Sequence, residues 1–132
     1  MNEEVINNLP SDAKKQFIKL ALKLSEKKTK KKVHDDFLSF VKHVWPEFIE
    51  GPHHKEIADK FNDIANGKIK RVIINMPPRH TKSEFASFLL PAWMVGRRPN
   101  LKIIQSTHTT ELAIRFGRKA KTLMDSPEYK QV

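Results

Sequence analysis

The chain has 132 residues, enough for one modest domain or for part of a larger one. It contains no cysteine, which excludes disulfide frameworks and thiolate metal sites, and its polar, acidic start predicts no secretory signal. The formal net charge of +10 favours a polyanionic partner, nucleic acid or nucleotide, although lysines that only solvate a linker would explain it equally well.

The first 34 residues are predicted to form a helix and a basic connector. Residues 11–24 have apolar residues at helical spacing, with Ser11 as the N-cap. Residues 27–32 are mostly lysine, and like charges at helical spacing repel each other, so this stretch is predicted to be an exposed connector. A nuclear localisation signal is the alternative interpretation of the same lysines.

Two further helices are predicted before residue 70. An apolar stripe over 33–44 ends before Pro46, and Trp45 and Phe48 are predicted to join the core. A helix over about 53–66 follows, with Gly67 as its C-terminal stop.

The pattern then changes to short β-branched runs. Residues 71–75 and 101–106 are predicted to be buried strands, separated by a helix from Lys82 to Leu90 that Pro91 breaks or kinks. A last helix from about Thr110 should stop before Pro127. This order predicts an α/β fold, with a parallel βαβ unit preceded by N-terminal helices.

The loop between the first predicted strand and the next helix has the setting of a phosphate-binding loop. Lys82 and Ser83 fit the end of the pattern G-x-x-x-x-G-K-[ST], but Met76 and Thr81 occupy its glycine positions. On the residues alone, an ordinary strand-to-helix loop explains the segment as well.

The stretch 71–84 resembles the variant Walker A motif of tailed-phage large terminases, which reads Asn-x-Pro-Pro-Arg-His-Gly-Lys-Ser after apolar residues. Flanking segments resemble the same family: Pro-His-His-Lys-Glu-Ile at 52–57, Leu-Pro-Ala-Trp at 90–93, 114–119 and 126–129. The resemblance covers residues 35–132, with Thr81 in place of the usual glycine.

This resemblance implies a partial P-loop NTPase core of the additional-strand, catalytic-glutamate (ASCE) type, with ATP and Mg²⁺ as cofactors. Lys82 would bind the phosphates, Ser83 the Mg²⁺, and Arg79 would act as a cis arginine finger. The implied nucleotide-binding loop comprises Pro77, Pro78, Arg79, His80, Thr81, Lys82 and Ser83. A surface arginine close to DNA is the alternative for Arg79.

For His54 the resemblance implies contact with adenine, and capping of the following helix and metal ligation are the alternatives. Metal ligation ranks last, because adjacent histidines on a helix point about 100° apart. Residues 105–108 could contact nucleotide or DNA, and the basic residues of the last helix could follow the DNA backbone. The favoured interpretation of 107–110 is a polar loop that caps the last helix. A solvated helix face explains Arg115, Arg118, Lys119 and Lys121 equally well.

As a function, the resemblance implies a viral DNA-packaging motor in the cytoplasm of the host cell. Its partners would be double-stranded viral DNA, the portal protein, the small terminase subunit and further copies in a ring, with no membrane involved. Another P-loop motor such as a helicase, or a basic nucleic-acid-binding module without activity, are the alternatives.

The second motif of such an ATPase, an apolar strand ending in a carboxylate pair, is not found in this sequence. Asp35 and Asp36 lack the preceding strand and are rejected for that role. The complete terminase is an ATPase and an endonuclease whose nuclease domain follows the ATPase. The expectation is therefore a truncated ATPase portion over 35–132 that does not hydrolyse ATP by itself.

Overall fold

The computed structural model describes residues 10–130, and its chain divides into two compact units, Met1–Lys31 and Lys32–Val132. Seven α-helical segments and one π-helical segment are present in the described range. They are α1 (Ser11–Asp35), α2 (Phe37–Val44), α3 (Pro52–Ala65), α4 (Lys82–Glu84), π1 (Phe85–Leu89), α5 (Leu90–Arg97), α6 (Thr110–Asp125) and α7 (Pro127–Lys130). None of these helices is long and apolar enough to cross a membrane.

The predicted α/β fold is wrong. Residues 10–130 contain no strand, so neither the parallel βαβ unit nor the sheet of a P-loop core is formed. Residues 71–77 and 101–107 are irregular, and Ile73 and Ile104 are 86% and 97% exposed. A β-branched run prefers a strand chiefly because its side chains pack against neighbouring strands, and residues 10–130 provide no such neighbour.

The first helix is longer than predicted. α1 continues through the lysines that were predicted to form a connector and ends at Asp35. Lysine has a high intrinsic helix propensity, and each unfavourable pair of exposed like charges costs only about 0.2–0.5 kcal/mol. The propensity of the residues therefore outweighs their mutual repulsion.

A carboxylate fixes the start of α2. The side chain of Asp36 accepts a hydrogen bond from the Ser39 backbone N–H at 2.7 Å and another from Asn62 Nδ2 at 2.9 Å. Burial by itself would raise the pKa of Asp36, but these hydrogen bonds outweigh it and lower the pKa. Asp36 is thus the N-cap of α2.

The predicted end of α3 is confirmed. The helix stops at Ala65, and Gly67 has a φ of 75°, a left-handed conformation that glycine adopts without steric cost.

Aromatic rings form the centre of the core in the unit Lys32–Val132. The Phe37 ring meets the rings of Phe61, Phe85 and Trp93 edge-on, with centroid distances of 5.1, 5.4 and 5.4 Å. All four side chains are fully buried. The indole Nε1 of Trp93 donates a hydrogen bond to the Val33 carbonyl at 3.1 Å, which satisfies its polar edge. Residues from α2, α3, π1 and α5 are thereby held together.

Pro91 does not break the helical segment that begins at Lys82. The chain stays helical to Arg97, but π1 lies directly before this proline, and the Leu90 N–H bonds to the Phe85 carbonyl. Proline has no N–H, and its ring clashes with the carbonyl four residues earlier in a regular α-helix. A wider turn before Pro91 accommodates that ring.

Candidate phosphate-binding loop

The predicted phosphate-binding residues form one concave site. Residues 76–84 enclose a cavity of about 530 Å³ at the start of the helical segment that begins at Lys82. Seven of the predicted residues line it: Pro77, Pro78, Arg79, His80, Thr81, Lys82 and Ser83. The loop has this shape although no strand leads into it.

The side chain of Lys82 links the end of the loop to its start. Its Nζ donates a hydrogen bond to the carbonyl of Met76 at 3.3 Å, and the side chain is half-buried. An ammonium group has three donors, so this bond leaves two for an anion. Ser83, the next residue, lines the same cavity and is exposed.

Two residues of the loop have left-handed backbone conformations. Arg79 has a φ of 67° and Thr81 a φ of 57°. Both are costly for residues with a Cβ, and more so for the β-branched Thr81. Thr81 holds the last glycine position of the usual phosphate-loop pattern and adopts a conformation that glycine would adopt freely.

His54 lies under the loop and caps α3. Its Nδ1 accepts a hydrogen bond from the Gly51 N–H at 2.8 Å, and its Nε2 lies 2.7 Å from Thr81 Oγ1. The side chain is 6% exposed and packs against the rings of Phe48 and Phe85. Capping is therefore one role that the structure gives His54, and contact with adenine stays a prediction.

Burial lowers the pKa of His54 below its ordinary value, and the nearby His53 adds to the effect. The rings of His53 and His54 have centroids 3.8 Å apart. Even so, no group of three or more potential metal ligands occurs in the part of the chain that the structure describes.

One contact of the site was missed by the sequence prediction. Lys119 Nζ on α6 lies 2.7 and 2.8 Å from the two carboxylate oxygens of Glu84, which follows Ser83. This ion pair fastens the helix that follows the loop to α6. Lys119 is therefore half-buried and paired, whereas Arg115, Arg118 and Lys121 are exposed.

The polar residues before α6 cap that helix, as the favoured interpretation predicted. Thr107 Oγ1 donates to the Thr109 carbonyl at 2.7 Å, and Thr109 Oγ1 accepts from the Leu112 N–H at 3.3 Å. These hydroxyl groups serve local structure.

Comparisons of the chain with protein-family models, with curated proteins and with solved structures found no match.

Proposed function

We propose that this chain supplies the ATP-binding part of a viral DNA-packaging motor of the large terminase type. In the complete motor, ATP hydrolysis would drive double-stranded DNA into the procapsid. The portal protein, the small terminase subunit and further copies of the motor subunit would be its partners. The proposal concerns the loop and the helix after it.

The observation that carries the proposal is the position of Lys82 in the loop. Its ammonium lies over the Met76 carbonyl at 3.3 Å, inside a concave loop whose sequence continues with a serine. A polyphosphate site needs a fixed cation, free backbone N–H groups and a hydroxyl for the metal. Lys82 and Ser83 provide the first and the last of these.

Free backbone N–H groups are expected where the helix begins. The first N–H groups of a helix have no partner within it, and Thr81, the residue before Lys82, makes no side-chain capping hydrogen bond to them. The residues present therefore fit a nucleotide bound with Mg²⁺, which would neutralise charge on the phosphates. Lys82 would hold those phosphates and Ser83 would ligate the metal ion.

The DNA partner is supported by the lysines of α1. Lys15, Lys19, Lys23 and Lys27 follow one another at four-residue intervals, and all are exposed. This interval places them along one face of the helix, over roughly 18 Å of its axis. Such a row of cations is complementary to the phosphates of a nucleic-acid backbone.

The test is a titration of the chain with Mg²⁺-ATP, comparing Lys82→Ala with Lys121→Ala as the matched loss of an exposed lysine. Charge-assisted hydrogen bonds contribute about 1.5–3 kcal/mol, so Lys82→Ala should weaken binding on the order of 10- to 100-fold. Lys121→Ala should bind like the wild type. A wild-type chain that ignores Mg²⁺-ATP, or equal losses in both variants, would contradict the proposal.

Substitution of Arg79 should affect ATP turnover and leave nucleotide binding nearly unchanged. If it stabilises charge that develops in the transition state, Arg79→Ala should leave nucleotide affinity almost intact. In single-turnover measurements on the complete motor, the same variant should hydrolyse ATP on the order of 10³-fold more slowly. Normal hydrolysis by Arg79→Ala would assign this arginine to the loop's structure or to DNA.

A further inference from the structure

Thr81 holds a strained position in the candidate loop. Its φ of 57° is left-handed, and such a conformation costs about 1–2 kcal/mol for a residue with a Cβ. The usual phosphate loop avoids this cost with a glycine before the lysine. Some other contact must hold Thr81 in place.

That contact comes from His54, which lies 27 positions earlier in the chain. Because His54 Nδ1 accepts from the Gly51 N–H, the proton of the neutral ring is on Nε2. Nε2 therefore donates to Thr81 Oγ1 at 2.7 Å, and the Thr81 hydroxyl donates in turn to the His80 carbonyl at 2.7 Å. The chain of hydrogen bonds has one consistent direction.

Because the Thr81 hydroxyl bonds to His54, it does not cap the N-terminus of α4. A threonine directly before a helix commonly accepts a hydrogen bond from the N–H groups of the first turn, and Thr81 makes none. The ring of His54 is fixed by burial against Phe48 and Phe85, so it presents Nε2 to the loop from a rigid position.

We propose that His54 is a positioning residue of the phosphate loop. By its hydrogen bond to Thr81, it holds the loop in the conformation that glycine provides in the usual motif. The inference rests on the proposed function, because it concerns the affinity of the loop for the phosphates of a nucleotide.

Two substitutions separate this role from the capping of α3. In Asn the side-chain oxygen takes the place of Nδ1, so His54→Asn keeps an acceptor for Gly51 but does not reach Thr81. In Gln the terminal amide takes the place of Nε2, so His54→Gln keeps the donor to Thr81 and loses the cap acceptor.

Titration with Mg²⁺-ATP should show about a tenfold loss of affinity for His54→Asn, the size expected for one hydrogen bond. The loss for His54→Gln should be less than about threefold. Thr81→Gly in the His54→Asn background should restore affinity, since glycine adopts a positive φ without an anchor. Wild-type affinity in His54→Asn, or no rescue by Thr81→Gly, overturns the proposal.

A second measurement needs no nucleotide. Urea unfolding of the wild type, His54→Asn, Thr81→Gly and the double variant forms a double-mutant cycle, in which direct contact predicts non-additive changes in stability. Additive changes overturn the role of His54. If the cycle shows coupling but the wild-type chain does not bind Mg²⁺-ATP, the proposed function is overturned instead. His54 then positions a loop that binds another ligand.

Discussion

At the scale of single residues, the candidate loop is contacted by a side chain from α3, since His54 hydrogen-bonds to Thr81. Thr81 has a left-handed backbone conformation, and its hydroxyl is hydrogen-bonded to His54. Both His54 nitrogens are engaged, one accepting from Gly51 and the other donating to Thr81. A protonated ring would turn Nδ1 into a donor facing the Gly51 N–H, so this arrangement requires the neutral form.

Stability should therefore depend on the charge of His54. Burial lowers its pKa in the folded chain below the ordinary value of 6.5, so near that pH the unfolded chain binds a proton that the folded chain does not. The free energy of unfolding should fall as the pH decreases below about 6.5. Urea unfolding at pH values between about 7.5 and 5.5 measures this free energy on both sides of the ordinary histidine pKa. The free energy of unfolding should depend less on pH in His54→Gln than in the wild type. The same pH dependence in both proteins would contradict the prediction.

At the scale of elements, α1 shows how weakly charge repulsion opposes a helix. Its lysine-rich second half stays helical to Asp35. The prediction that the helix is interrupted at these lysines took account of their charge repulsion and underestimated the helix propensity of lysine. The result is a helix on which one row of exposed lysines is continuous.

Nucleic-acid binding should depend on which face of α1 loses charge. Lys19→Gln with Lys23→Gln removes two cations from the row, and Lys28→Gln with Lys32→Gln removes two from the opposite side of the helix. For a DNA duplex, the first pair should reduce the slope of log K against log salt by about 2. The control pair should change it by less than half as much. Fluorescence anisotropy at several salt concentrations measures both slopes.

Equal changes for the two pairs would show that binding follows net charge alone. Preferential binding to vesicles of anionic lipid over DNA, with the same two lysines involved, would assign the row to a membrane surface instead. Circular dichroism of both double variants checks that α1 is intact.

At the scale of the whole molecule, the core depends on aromatic residues from separate helices. Phe37, Phe61, Phe85 and Trp93 are fully buried, while the β-branched Ile73 and Ile104 lie on the surface. In a βαβ unit these isoleucines would be buried, since strands between two helical layers are covered on both faces.

A matched pair of substitutions tests this arrangement. Ile57 in α3 is 8% exposed and Ile104 is 97% exposed, so Ile→Thr makes the same chemical change in two environments. Ile57→Thr should lower the free energy of unfolding by about 2–4 kcal/mol, through lost burial and a buried hydroxyl. Ile104→Thr should change it by less than about 0.5 kcal/mol. A loss above about 1 kcal/mol for Ile104→Thr would mean that this residue is buried.

Features that neighbouring residues encode could be predicted from the amino-acid sequence. The start of α6 at Thr110, the end of α3 before Gly67 and the place of the loop at Lys82 follow from caps, periodicity and turn residues. Each depends on contacts within a few positions, so a local pattern is enough to predict it.

Features that depend on contacts between distant residues could not be predicted in this way. The runs at 71–75 and 101–106 have the composition of strands, yet a strand requires a neighbour to bond its backbone, and none is present among residues 10–130. The bond from His54 to Thr81 and the pairing of Glu84 with Lys119 join residues 27 and 35 positions apart. No local pattern encodes such contacts, because they form only when the core has brought α3, the loop and α6 together.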